Sequence, residues 1–129
     1  MIQKLSSEYH TIERNNALKT DTLRMIYDEL YSTIGIKFPK VEMCRIIPPT
    51  SFIKNEKTTD MVIITFESDC EIYINKSPNP KIEHKQIIPD RVLQKQSVYW
   101  IKFPHDCVIF TLNTLNENGG YCVLLTNTT

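Results

Sequence analysis

The chain has 129 residues, fifteen Lys and Arg against fifteen Asp and Glu, and 41% hydrophobic content. That is one domain's worth of sequence, large enough to bury a core without a disulfide or metal and too apolar for a disordered chain. The balanced charge lacks the basic excess of a duplex-binding protein, and no apolar run approaches the ~18 residues of a membrane helix, so neither nucleic acid nor membrane is expected as a partner.

In chain order, the first residues lack the apolar stretch of a signal peptide. Ile2, Leu5, Tyr9 and Ile12 then recur at spacings of three, four and three, which predicts a helix over 4–14. Asn15 and Asn16 interrupt it and can cap a second helix. Leu23, Ile26 and Leu30 continue the stripe, Tyr27, Tyr31 and Ile34 widen it, and Gly35 stands where helices end in a left-handed turn. This predicts a helix over 21–33. Residues 1–34 read as an N-terminal α-helical arm and residues 35–129 as a β-sandwich domain.

From Ile34 the apolar period changes to two, the period of a strand. Ile occurs seventeen times and Ala once, a composition that suits pleated, half-buried surface. Prolines at 39, 48, 49, 78, 80, 89 and 104 fall between the apolar runs, where a missing N–H costs no ladder bond. Strands are predicted over 41–47, 51–53, 61–66, 70–75, 85–88, 97–103, 107–113 and 121–126. The expected fold is mainly β, an antiparallel, jelly-roll-like β-sandwich of seven to eight strands. Asn118-Gly119-Gly120 predicts a tight hairpin joining the last two. Residues 36–118 contain no Gly, which excludes a Gly-rich phosphate loop there.

Four cysteines, at 44, 70, 107 and 122, fall in predicted strands without a C-x-x-C spacing. They read as core thiols rather than zinc ligands or disulfides. His105-Asp106-Cys107 has the residue types of an activated thiolate, but Pro104 makes the segment a turn, where Asp and His bond to backbone. His10, His84 and His105, even with Glu83, show no metal-ligand spacing. No catalytic residue, metal or cofactor is therefore expected. Tyr99 and Trp100 lie in a strand apolar on both faces and read as core, or as an aromatic platform for a ligand.

The run from Met61 to Asn75, followed by Ile87-Ile88-Pro89, Ser97–Ile101 and the Asn-Gly turn, resembles small β-sandwich modules of bacteriophage virion proteins. Head-decoration, head-fibre and tail-accessory subunits are of this kind, and the resemblance covers residues 60–126. It implies a non-enzymatic structural subunit located in a virion or the host cytoplasm. Its partners would be copies of itself, as a homo-oligomer, and other virion proteins. Leu23, Ile26, Leu30, Tyr27 and Tyr31 are then the expected interface, since an apolar stripe must be buried somewhere, and packing on the chain's own sandwich is the alternative that the sequence leaves open. The alternative is a carbohydrate- or small-ligand-binding sandwich module that uses Trp100 and Tyr99.

Overall fold

The computed structural model describes residues 1–5, 19–47, 49–76 and 87–127. Among the described residues the elements run β1 (Ile2–Lys4), α1 (Thr20–Ile34), β2 (Lys40–Ile46), β3 (Thr50–Ile53), β4 (Asp60–Thr65), β5 (Cys70–Ile74), β6 (Arg91–Leu93), β7 (Val98–Lys102), β8 (Ile109–Thr114) and β9 (Gly120–Thr126). One sheet has the order β1-β7-β4-β9-β2 and the other β3-β8-β5-β6. Every pairing is antiparallel. Four of them nest: β2 with β9, β3 with β8, β4 with β7 and β5 with β6. This is one long antiparallel ribbon wound so that its segments fall in two facing sheets, a jelly roll. The mainly-β sandwich expected from the sequence is the fold observed.

Two apolar layers hold it. Between the sheets, Ile63, Ile101 and Leu124 meet Ile72, Phe110 and Leu112. On the outer face of the five-stranded sheet, Val62, Ile64, Val123 and Leu125 are covered by Ile26 and Leu30 of α1, with Leu5 and Phe38. β4 lies in both layers, so each of its six positions is buried. Full burial of each such side chain contributes roughly 1.5–3 kcal/mol.

Helix α1 matches the predicted span to within a residue at each end. Asp21 in its first turn favours the positive end of the helix dipole. Gly35 closes it at φ 77°, its N–H donating to Tyr31 O at 2.9 Å. The stripe does not project from the molecule: it docks on the chain's own sheet.

Three expectations need correction. Ile2–Lys4 is a strand paired with β7, not the start of a helix; Ile2 packs toward the inter-sheet layer and Leu5 toward the layer under α1. The remainder of that predicted helix lies outside the described residues. The strand predicted over 85–88 is not seen at Ile87 and Ile88, and residues 85 and 86 are outside the described set. A strand forms instead beyond Pro89, as β6. The Asn118-Gly119-Gly120 segment turns the chain but makes no hairpin, because β8 and β9 lie in different sheets. Gly119 is needed there on two counts. Its φ is 80°, and a Cβ would lie 2.6 Å from the Ile46 carbonyl oxygen, where the crossing passes the end of β2.

Candidate ligand cavity between the sheets

The residues singled out from the sequence are scattered and mostly committed to packing. Ile26 and Leu30 are 0% and 1% exposed within the chain, so the expected interface loses its centre. Leu23 and Tyr27 are half-buried and Tyr31 is exposed. Tyr27 and Tyr31 instead border an open groove between α1 and residues 36–39, where the Lys37 ammonium sits 5.8 Å from the Tyr31 ring centre.

Tyr99 and Trp100, the expected aromatic platform, face opposite sides of their sheet. Tyr99 is buried in the inter-sheet layer, and its hydroxyl accepts the Gln94 N–H at 2.9 Å. Trp100 faces the helix-covered layer, and its indole N–H donates to the buried Asp60 carboxylate at 2.8 Å. Thr59 donates to the other Asp60 oxygen, and Asn127 ties both residues to the end of β9. This network anchors the edge of the sheet.

His105, Asp106 and Cys107 do not converge. His105 and Asp106 are exposed in a turn closed by the Cys107 N–H donating to Pro104 O at 3.1 Å. The Cys107 thiol points inward to Ile109 O, and burial raises its pKa. Among the described residues no group of three or more His, Cys, Asp or Glu could hold a metal. His10, Glu83 and His84 lie outside them.

A site that the sequence did not suggest lies where the two sheets part. Here the edge strands β2 and β3 leave a cavity of about 120 Å³. Strand alternation aims the side chains of Met61, Leu124 and Thr126 into it from the five-stranded sheet, and those of Phe52 and Phe110 from the other. The two phenyl rings stack with centroids 5.0 Å apart and planes 14° from parallel, forming a flat apolar wall. Lys40 and Glu42 stand exposed on the rim, on the inward face of β2.

The loop 54–59 closes one side. The Asn55 side-chain oxygen accepts the Lys57 N–H, and Asn55 O accepts the Thr58 N–H, which fixes a turn. Lys54 donates to Thr58 O at 2.8 Å and Asn55 O at 3.2 Å, using two of its three donors, with Phe103 beneath at 5.9 Å. In the wall opposite, the Thr126 hydroxyl oxygen is buried and has no hydrogen-bond partner. Buried polar atoms are nearly always paired, so this one is an exception, on a residue that lines the cavity.

Comparison with known proteins gives little more. No family model and no curated protein matches the chain. Among solved structures it is similar to a 3,4-ketoisomerase from Helicobacter canadensis, at 14% identity and a TM-score of 0.49, over 77% of this chain and 68% of that one. The reading of this chain as a non-enzymatic, self-associating virion subunit is corrected by the burial of Ile26 and Leu30 inside the chain, which removes the stripe that carried it. Among the described residues no helix is long and apolar enough to cross a membrane.

Proposed function

We propose that the chain binds a small organic anion with an apolar body, such as a short-chain carboxylate, in the cavity between the sheets. The observation that carries this is the buried Thr126 hydroxyl without a partner. Leaving such a group unpaired costs about 1–3 kcal/mol, which a carboxylate oxygen accepting its proton recovers. Charge points the same way: Lys40 and Lys54 against Glu42 leave the lining one positive charge in excess. The stacked Phe52 and Phe110 suit an aliphatic body. A volume of about 120 Å³ is smaller than the cavity of about 150 Å³ that benzene fills, which leaves room for a short aliphatic chain rather than a ring.

The test is titration of isotope-labelled protein with acetate, butyrate and the neutral analogue 1-butanol, followed by NMR. The expected result is saturable shifts at the amides of Met61, Leu124 and Thr126, larger for butyrate than for 1-butanol. Shifts that never saturate, or that cluster around His105 and Asp106 instead, overturn the reading.

A further inference from the structure

Cys44 on β2 and Cys122 on β9 are direct cross-strand partners, and both are free thiols. Residues opposite one another on antiparallel strands project to the same face. Here that face is inward: Cys122 belongs to the inter-sheet layer and Cys44 packs against it. Opposed residues on antiparallel strands have Cα atoms about 4.5 or 5.5 Å apart, depending on position in the ladder, and disulfides span about 4.4–6.8 Å. The Cα spacing is within disulfide reach at either position, and the non-hydrogen-bonded one, where the Cβ atoms lie closer, suits the bond better. Cys70 faces the pair from the other sheet, but packed sheets lie about 10 Å apart, beyond disulfide reach.

We propose that Cys44 and Cys122 are a dithiol site that a low-molecular-weight disulfide converts to a cross-strand disulfide. Cys44 is half-buried on an edge strand and Cys122 is fully buried, so the exchange has an order. The Cys44 thiolate attacks one sulfur of the incoming disulfide and expels the first thiolate, giving a mixed disulfide. The Cys122 thiolate then attacks the Cys44 sulfur and expels the second. Two protein thiols lose two protons and two electrons, and one external disulfide becomes two thiols. The product ties edge strand β2 to β9. Neither cysteine lines the cavity, so an empty cavity would leave this pairing intact.

The experiment incubates the full chain for a day with excess oxidised glutathione at about pH 9, which allows for the small ionised fraction of the buried thiols, then alkylates and maps the peptides by mass spectrometry. The expected result is loss of two of the four thiols, loss of the mass of two hydrogens, and one cross-linked peptide pair holding Cys44 and Cys122. Cys122→Ser should stop at the first step and gain the mass of one glutathione on Cys44. Wild-type protein that stops at the mixed disulfide, keeps all four thiols, or links Cys70 or Cys107 instead overturns the proposal.

Discussion

Burial raises the pKa of the Cys44 and Cys70 thiols from an ordinary 9.0 to about 11, with Glu42 adding to the effect at Cys44. At Cys70 a hydrogen bond with Ser68 opposes the shift and Asp69 adds to it. In the unfolded chain the same thiols lose their protons near the ordinary value, so between 9.0 and about 11 the folded state holds more protons. Stability from this source is complete below pH 9 and is lost as pH rises through 11. Urea midpoints measured across that window should fall, and fall less in Cys70→Val, which keeps the apolar volume and removes the thiol. Equal slopes in the two proteins would contradict the assignment. The sequence showed these thiols as core because they fall on the inward period of strands. It did not show that Cys44 and Cys122 are neighbours, since 78 residues separate them in the chain and only the β2–β9 register joins them.

At the scale of the element, helix α1 was legible because stripe, span and terminal glycine agree, and a local period needs no knowledge of the rest. What the stripe packs against is a long-range fact. Val62, Ile64, Val123 and Leu125 come from strands that read as alternating, yet both of their faces are covered. Leu30→Ala should lower stability by about 2–5 kcal/mol. Tyr31→Ala, one position along and 56% exposed, should cost less than about 1 kcal/mol. Chemical denaturation with light scattering reads both effects. Dissociation of an oligomer by Leu30→Ala without loss of monomer stability would contradict the intramolecular docking. The last turn departs from the expected hairpin for a related reason. Asn-Gly specifies a backbone bend, and in a wound ribbon the bend after β8 carries the chain to the other sheet, where β9 closes on β2.

Across the whole molecule, the sandwich followed from Pro-bounded apolar runs, because period and punctuation are local. Sheet order and the cavity did not, because both depend on which strands the winding makes neighbours. Lys40, Phe52, Met61, Phe110 and Thr126 come from five different strands, and no spacing in the chain unites them. The most direct test of the cavity as a binding site is Thr126→Val, a near-isosteric change that removes only the orphan hydroxyl. Unfolding of the ligand-free protein and calorimetric titration with butyrate are measured side by side. The expected result is a ligand-free protein more stable than wild type by about 1 kcal/mol, with butyrate affinity lower by roughly tenfold. Lower stability of the ligand-free variant together with unchanged affinity would contradict it.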